Sequence, residues 1–258
     1  MTFEGYIDGL QSVLERIRRE QSGKIKEAGQ LVGAALEAGG VVHTFGTGHA
    51  HLIADEAFYR AGGIAAINPI LDERLIFLKG ALESTRAERE HGLAGALLAL
   101  EDVQPEDAAI IISNSGRNVV PVEMALEMKA RGIKVIAITN LEQSRSSSAL
   151  HVSGKRLYEL ADVAIDNCVP AGDALLSLPR TKSKIGPAST VAGAAIINSI
   201  IIEAVAGLIE RGKDVPVLPS ANVEGVGEKE LRDILAPYTK RIRYLDLDKV
   251  DEANHAKS

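Results

Sequence analysis

The chain has 258 residues, of which 46% are hydrophobic and 25% charged, a composition typical of a globular protein with a large core. Its net charge of −6 argues against a general nucleic-acid-binding surface, which requires an excess of Lys and Arg. A single cysteine, Cys168, excludes an internal disulfide framework and a zinc site built from several cysteines.

The first residues and the most apolar stretch of the sequence do not have the pattern of targeting or membrane segments. Residues 1–6 have neither the basic nor the apolar region that a signal peptide needs. Residues 185–202 carry no formal charge, but Gly, Pro, Ser, Thr and Asn interrupt them, so we predict a loop followed by a buried helix. We therefore expect a soluble, cytoplasmic protein that has no membrane partner.

Hydrophobic periodicity predicts an N-terminal helix and then strands that alternate with helices. Residues 1–37 have apolar side chains at helical spacing, and Gly39 and Gly40 follow them. The predicted strands cover residues 41–45, 64–71, 108–112, 134–139 and 163–165, and the predicted helices cover residues 50–61, 120–131, 157–161 and 190–211. Residues 72–100 are mostly helical in this interpretation, residues 142–148 form a polar stretch, and the last 45 or so residues contain a short helix and a late strand near residues 242–245.

Strands that alternate with helices are typical of βαβ units, so we predict an α/β fold with a parallel sheet covered on both faces. The economical division is an N-terminal helix, residues 1–37, followed by a single α/β domain, residues 38–258. The helix offers an apolar face for association between subunits. We expect a homo-oligomer, either a dimer or a tetramer.

Ligands of an open parallel sheet bind beyond the carboxyl ends of its strands, so the residues that follow each strand are the candidates for a site. Glycine or polar residues follow at four places, which are residues 46–49, residues 113–118, residues 139–140 and, at a greater distance, residues 186–190.

The segment from Ser113 to Asn118 is the strongest candidate for binding a phosphate group. It lies between a predicted strand and a predicted helix, where backbone N–H groups and the helix dipole favour an anion. Hydroxyl and amide side chains add hydrogen-bond donors, and Gly116 allows close approach to the backbone. The alternative is a helix cap without a ligand, but a cap needs one such side chain. The segment has four, which are Ser113, Asn114, Ser115 and Asn118.

The spacing Gly46-x-Gly48 does not complete a dinucleotide-binding motif. The third glycine position is occupied by His51, and the position expected for an acidic residue is Asn68. The Walker motif and the G-x-S-x-G nucleophile motif are also absent from the sequence. We predict no cofactor.

The pair His49 and His51 does not predict a metal site. Side chains two positions apart on a helix do not face each other, and His43 belongs to a predicted strand. No further cluster of His and Cys in the sequence completes a ligand set. We therefore predict no metal ion.

Glu56 is a candidate general base. It follows His49 by seven positions on the predicted helix and therefore lies on the same face, about 10.5 Å away along the axis. A carboxylate there could remove a proton next to a carbonyl group. The alternative is a solvated charge beside Asp55.

The segment from His151 to Lys155 offers a second acid/base group and a cation. His151 could transfer a proton near neutral pH, and Lys155 could bind a phosphate or an alkoxide. The alternative for this segment is a solvated loop. Three further helical carboxylates, Glu83, Glu88 and Glu203, are interpreted as structural.

These loops together resemble the sugar isomerase (SIS) domain family over residues 30–210. The segment Ser113-Asn114-Ser115-Gly116-Arg117-Asn118 resembles the family's Ser-x-Ser-Gly-x-Thr/Ser loop, and Gly46-Thr47-Gly48-His49 resembles its first loop. Ala188-Ser189-Thr190 is similar to a turn that lies at the substrate in glucosamine-6-phosphate synthase. Asn118 and Gly48 replace the usual hydroxyl residues. The resemblance implies a doubly wound, five-stranded parallel sheet that binds a phosphorylated sugar, with Thr47, Gly48, His49, Ser189 and Thr190 among its contacts.

A narrower resemblance is to stand-alone bacterial SIS proteins related to amino-sugar 6-phosphate dehydratases. It rests on residues 113–118 together with residues 151–155, Gly172-Asp173-Ala174 and Ser220-Ala221-Asn222. In phosphoheptose isomerase and in N-acetylmuramic acid 6-phosphate etherase, a glutamate on the helix after the first loop performs acid/base chemistry. Glu56 is the nearest match, although it lies about one turn closer to the loop than in the isomerase.

The resemblance implies an enzyme that acts on an N-acetyl amino-sugar 6-phosphate by removing the C2 proton with Glu56. Loss of the C3 hydroxyl would make it a dehydratase, whereas reprotonation at C1 would make it an aldose–ketose isomerase. The N-acetyl group impedes the second outcome, which favours the dehydratase. The other alternative is a phosphosugar sensor without catalysis, because SIS domains also follow DNA-binding helices in regulators. Only about 40 residues precede the first strand here, too few for such a domain.

Overall fold

A central parallel sheet forms the core of the computed structural model, which describes residues 3–220 and 227–245. Its five strands are β1 (Val42–Gly46), β2 (Ile67–Pro69), β3 (Ala108–Ile112), β4 (Lys134–Thr139) and β5 (Val163–Asp166). All neighbouring pairs are parallel, and the strand order is β2-β1-β3-β4-β5. The direction of winding therefore reverses between β1 and β3, and the predicted doubly wound α/β fold is confirmed.

Helices cover both faces of the sheet. The helices before and within the sheet region are α1 (Phe3–Glu20), α2 (Ser22–Glu37), α3 (Ala50–Glu56), α4 (Ala81–Ala87), α5 (Leu93–Leu98), α6 (Val119–Ala130), α7 (Leu141–Ser146) and α8 (Leu157–Leu160). A hairpin of β6 (Ala174–Leu176) and β7 (Ile185–Pro187) precedes α9 (Ser189–Glu210), and α10 (Glu228–Leu235) lies near the C-terminus.

The central strands are buried on both sides, which explains their continuous apolar sequences. In β3, Ile110 and Ile112 pack into a cluster with α1, α2, α3 and α9, whereas Ala109 and Ile111 pack on the opposite face with α5, α6 and α8. The same alternation holds in β4. Each strand side chain therefore joins one of two separate apolar layers, and the strand register is held from both faces.

The register brings the carboxyl ends of three strands to the same level. Gly46 at the end of β1 pairs with Ile112 at the end of β3, and Ile112 pairs with Ile138 of β4. The segments that follow these strands consequently start beside one another at the point where the winding reverses.

Two elements near the N-terminus differ from the predictions. Residues 3–37 form two helices instead of one, because the chain turns at Gln21, whose side-chain oxygen accepts a hydrogen bond from the Asp166 N–H at 3.2 Å. Helix α3 ends at Glu56 instead of residue 61, and Tyr59 follows it with a left-handed φ of 43°. The predicted division at residue 37 and the predicted role of the first helices in association stay predictions.

The C-terminal half contains further differences. The predicted polar stretch, residues 142–148, lies largely in helix α7, and the hairpin of β6 and β7 was not predicted. Residues 242–245 form no strand; Ile242 and Leu245 instead pack in a small apolar cluster with Val41 and Leu218. Ala221 and Asn222 of the SIS resemblance lie outside the described residues.

Helix α9 is long and apolar enough to cross a membrane by length and composition alone. In the structure it packs against α2 and α3, and Ile196, Ile197 and Ile200 are fully buried. The protein core therefore accounts for part of its apolar surface, since 44% of its most apolar 18-residue window is buried.

A buried carboxylate ties the C-terminal segment to the amino end of the sheet. Asp107 accepts hydrogen bonds from Val41 N–H at 2.8 Å and Gln104 N–H at 2.7 Å, lies 3.0 Å from His43 Nε2, and pairs with Arg241 at 2.8 Å. Burial raises the pKa of Asp107, but the hydrogen bonds from His43 and the two backbone groups outweigh it and hold the pKa below its ordinary value.

Replacing Asp107 with Asn should destabilise the protein by about 3 kcal/mol, because Arg241 loses its buried partner. Since the pKa of Asp107 is lower in the folded state, its contribution is present above the unfolded pKa of about 3.9 and is lost as the pH falls below it. Urea unfolding at a series of pH values from about 3 to about 7, a range that includes the unfolded pKa of Asp107, measures both effects. Asp233→Asn, at an exposed pair with Lys229, is the control and should change stability by less than about 0.5 kcal/mol. An equal loss in the two variants would contradict the role of Asp107.

Candidate functional site

A polar cavity of about 280 Å³ opens at the carboxyl ends of β1, β3 and β4, where the winding of the sheet reverses. This is the position at which open α/β sheets bind ligands. Its walls come from the segments after β1, β3 and β5, from the ends of α4 and α9, and from α7. Aliphatic side chains at its base are Ile53, Ile112 and Ile138.

The segment from Ser113 to Asn118, between β3 and α6, forms the first wall. Gly116 has a φ of 59°, and its N–H donates to Ser113 Oγ at 3.2 Å, which folds the segment into a tight turn. Within the described residues, the N–H groups of Ser115, Asn118 and Val119 have no intramolecular acceptor. The turn therefore leaves these backbone donors, together with the Arg117 N–H, unpaired at the start of a helix of 12 residues, where an anion is favoured.

The side chains of this segment divide into structural and available groups. Asn114 uses both ends of its amide, since its Oδ1 accepts from Asn167 at 2.8 Å and its Nδ2 donates to Gln143 at 3.4 Å. Asn118 occupies the N-cap position of α6, but its side chain makes no capping hydrogen bond. Asn118 and Ser115 both line the cavity, so their side chains remain available to a ligand.

The segment after β1 forms the second wall. Gly46 approaches the next helix so closely that a Cβ there would lie 2.4 Å from the Ala50 carbonyl oxygen. Gly48 adopts a φ of 57° and donates its N–H to Leu75 O at 2.8 Å. His49 is the N-cap residue of α3 and packs its ring against Phe77, with the centroids 4.8 Å apart.

A carboxylate joins this wall from a distant part of the sequence. Glu88 lies at the end of α4 and lines the cavity, and its Oε2 accepts a hydrogen bond from Thr47 Oγ1 at 3.0 Å. Its other oxygen has no hydrogen-bond or ion-pair partner in the described part of the chain. Glu88 is therefore oriented by Thr47 and has a free oxygen for a ligand.

A second carboxylate is committed to holding the start of α9. Asp173 Oδ1 accepts from the Ala188 N–H at 3.0 Å and the Ser189 N–H at 2.7 Å, while its Oδ2 accepts from Ser189 Oγ at 2.7 Å. These bonds satisfy the helix N-terminus and fix the Ser189 hydroxyl at the cavity. Asp173 thus positions Ser189 and the start of α9.

Comparison with known proteins identifies the family. The SIS domain model matches residues 5–140, just over half of the chain. The chain belongs to the SIS domain family. It is 40% identical to the UPF0309 protein of Geobacillus kaustophilus, over 93% of this chain and 95% of that protein. It is 38% identical to the UPF0309 protein of Halalkalibacterium halodurans, over 94% of this chain and 97% of that protein.

The solved structure of a phosphoheptose isomerase from Francisella tularensis has the same fold. It superposes with a TM-score of 0.50 and 17% sequence identity, covering 80% of this chain and all of that protein. The resemblance to the SIS family that the sequence motifs indicated is confirmed.

Most of the predicted binding residues of this SIS domain lie at one cavity. The predicted residues that line it are Thr47, Gly48, His49, Ser113, Asn114, Ser115, Asn118 and Ser189. Gly116 shapes the turn beneath them, and Thr190 is the next residue of α9 but does not line the cavity.

Three predicted residues lie elsewhere. Glu56 is the last residue of α3, where it pairs with Arg60, and the cavity reaches α3 only at Ala50 and Ile53. His151 lies beside Glu123, with 3.6 Å between Nε2 and Oε1, and does not line the cavity. Lys155 is exposed on its loop, so it contributes no cation to this cavity.

Four polar lining residues were not predicted as site residues, and they are Glu88, Gln143, Asn167 and Asp173. The sequence contained a motif that pointed to Asp173, because Gly172-Asp173-Ala174 is part of the narrower SIS resemblance. Gln143 and Asn167 mainly form hydrogen bonds with Asn114, and no short sequence pattern predicts such a contact. Among the described residues, no Lys or Arg lines the cavity.

Cys168 is not placed to act as a nucleophile in this SIS domain. It is buried in the apolar layer around α9 and does not line the cavity. Burial, together with the neighbouring Asp166 charge, raises the pKa of its thiol to about 11, so the thiol stays protonated at neutral pH.

Gly116→Ala should damage the first wall more than a matched glycine substitution elsewhere. A Cβ at Gly116 would lie 2.9 Å from Thr139 Oγ1 and 3.0 Å from Ser144 Oγ, in addition to the cost of a left-handed backbone. Gly132→Ala carries the backbone cost alone, because its φ is 82° and no atom lies within 4 Å. Urea unfolding should show an extra loss of ~1–3 kcal/mol for Gly116→Ala. Equal losses would show that the turn tolerates a side chain.

Proposed function

We propose that this SIS-domain protein is an enzyme that acts on an N-acetyl amino-sugar 6-phosphate. The observation that carries the proposal is that one cavity contains both a donor-rich turn before a helix and a carboxylate, Glu88, with an uncommitted oxygen. The turn would bind the phosphate, and Glu88 would act on the sugar.

The donors of the turn suit a phosphate monoester. Unpaired backbone N–H groups, the Ser115 hydroxyl and the Asn118 amide offer hydrogen bonds to its oxygens, and the dipole of α6 favours its charge. The name of the Francisella tularensis protein, a phosphoheptose isomerase, supports a phosphorylated sugar as the ligand class. Binding through neutral donors replaces the role first predicted for Lys155.

The proposed first step is removal of the C2 proton from the open-chain sugar, where the C1 aldehyde makes that proton acidic. The base takes the proton, and the electron pair of the C2–H bond moves into an enolate. We assign this role to Glu88 instead of Glu56, because Glu88 lines the cavity and Glu56 does not. Thr47 would orient the carboxylate through its hydrogen bond.

Two products can follow from the same enolate. Expulsion of the C3 hydroxyl, with a proton supplied to the leaving oxygen, gives an unsaturated sugar and water, which is a dehydratase reaction. On a sugar with a hydroxyl at C2, reprotonation at C1 and loss of the C2 hydroxyl proton give a ketose, which is an isomerase reaction; an acetylated nitrogen at C2 cannot become the ketose carbonyl. The dehydratase is therefore the favoured proposal and the isomerase the alternative.

We also propose that the protein works in the cytoplasm as a homo-oligomer. Helix α1 supports association, because Phe3 and Ile7 are exposed on it. Apolar side chains on an outer helix are typical of a face that another subunit covers.

Ser115→Ala should weaken the binding of a sugar 6-phosphate by ~1–3 kcal/mol, because a hydroxyl donor at the turn is lost. Calorimetric titration of both proteins with N-acetylglucosamine 6-phosphate measures the difference. Ser12→Ala, on the exposed face of α1, is the matched control and should bind as the wild type does. Unchanged affinity in a folded Ser115→Ala variant would contradict phosphate binding at this turn.

Glu88→Gln should keep ligand affinity but lower turnover by ~10²-fold or more, because the amide retains the shape of the side chain and loses its basicity. Glu56→Gln is the matched control and should retain turnover. The assay uses a panel of N-acetyl amino-sugar 6-phosphates and heptose phosphates in deuterated water, with NMR detection of C2 exchange, elimination and isomerisation.

The panel separates the competing functions. An unsaturated product identifies the dehydratase, and a ketose identifies the isomerase. If only Glu56→Gln loses activity, the base is Glu56 as first predicted. If ligands bind but the wild type catalyses no exchange or elimination, the protein is a phosphosugar sensor.

A further inference from the structure

Two histidines and a glutamate from three separate segments meet outside the cavity. His91 follows α4, Glu123 lies on α6, and His151 lies in the segment between α7 and α8. One ligand atom from each residue lies within 4.8 Å of the others. Glu123 Oε1 is 3.0 Å from His91 Nδ1 and 3.6 Å from His151 Nε2.

We propose that His91, Glu123 and His151 bind a divalent transition-metal ion of the zinc class. Two imidazoles and one carboxylate form a zinc ligand set that leaves a fourth position for water. Ligands around tetrahedral zinc lie ~3.3 Å apart, given metal–ligand distances of about 2.0–2.2 Å. The three side chains are thus near the required separation, and small rotations would complete it. The proposal is independent of the proposed function.

His151 supplies the observation that hydrogen bonding alone does not explain. Its side chain is only 9% exposed, and its Nε2 faces Glu123 at 3.6 Å, which is too long for a hydrogen bond. Within the described residues this nitrogen has no other partner. The imidazole is nearly buried, and its Nε2 points at the carboxylate without bonding to it. A cation bound between the two groups would give each of them a partner.

Neighbouring groups already orient two of the ligands. Glu123 Oε2 accepts from the Gly92 N–H at 2.8 Å, which leaves Oε1 for the ion. Ser153 offers His151 Nδ1 an acceptor, Oγ at 2.8 Å, and a donor, its N–H at 3.1 Å, so either neutral tautomer of the ring is accommodated. Metal binding through Nε2 would select the tautomer in which Nδ1–H donates to Ser153 Oγ, as supporting groups do at zinc sites.

The ion would anchor a segment that contacts the candidate phosphate turn. Close to His151, the Leu150 N–H donates to Arg117 O at 3.1 Å, and Arg117 Nη2 donates to Ser148 Oγ at 3.3 Å. Linking His151 to Glu123 would therefore hold residues 148–151 against α6 and against the turn before it. The expected consequence is greater stability of the folded protein when the ion is bound.

The sequence did not predict this site, because its ligands are 32 and 28 positions apart. The expectation of no metal ion rested on the spacing of His49 and His51, on the strand position of His43 and on the lack of a further cluster of His and Cys in the sequence. His49 is exposed and packs on Phe77, whereas His51 is buried, and burial lowers its pKa. These two residues lie apart from the proposed site, which departs from the expectation of no metal ion.

Titration of chelator-stripped, tag-free protein with Co(II) and with Zn(II) tests the proposal. We expect one Co(II) per chain, with the intense visible absorption of a four- or five-coordinate ion, and a higher melting temperature with Zn(II) that a chelator reverses. His151→Ala and Glu123→Gln should each lower metal affinity by at least ~100-fold and abolish the thermal shift. His49→Ala is the control and should bind metal as the wild type does.

Two results would overturn the proposal. One is a wild-type protein that binds neither ion at micromolar concentration. The other is metal binding that survives in both His91→Ala and His151→Ala. Glu123→Gln keeps the hydrogen bond to Gly92, so it provides the decisive comparison if a histidine variant fails to fold. Measuring metal binding without substrate keeps this outcome separate from the catalytic assay.

Discussion

The alignment of three parallel strand ends positions the rest of the candidate site. Gly46, Ile112 and Ile138 are in register, and the winding of the sheet reverses between the first two. Helices must then diverge to opposite faces after β1 and β3, which leaves a crevice that no helix fills. Apolar layers on both faces hold this register, so the same packing that stabilises the sheet fixes the distance between the two walls.

Sequence patterns predicted the elements whose burial is uniform and failed where structure depends on distant contacts. The apolar runs of β3 and β4 were found with their observed limits, because strands buried on both faces have no competing pattern. Helix α7 has a polar sequence, and its start depends on the Asn140 side chain, which accepts from the Gln143 N–H at 2.8 Å. Strands β6 and β7 pair across eight intervening residues, and none of their residues is buried.

The same distinction applies to the site. Ser115 and Asn118 could be predicted as site residues because they lie between an apolar run and a helical pattern, both of which are visible in the sequence. Glu88 was interpreted from the sequence as a structural carboxylate, because its contact with Thr47 joins residues 41 positions apart and depends on the path of an irregular segment. The spacing of seven residues between His49 and Glu56 places both on one helix face. It does not show how far the cavity extends along that helix, and the cavity ends near Ile53.

The charge distribution of the cavity explains how one site could serve both binding and proton removal. Its charged lining residues in the described chain are carboxylates, and Asp173 is engaged in three hydrogen bonds from the start of α9. A phosphate there would depend on neutral donors and on the dipole of α6, which supply attraction without a cation that could pair with Glu88. In the proposed reaction, uptake of the C2 proton removes the charge of Glu88 beside a bound dianion. The enolate takes up an equal negative charge, so the net charge of the cavity is unchanged by this step. The absence of a cation leaves Glu88 unpaired and able to take the proton, and hydrogen-bond donors near the enolate oxygen must stabilise the charge that forms there.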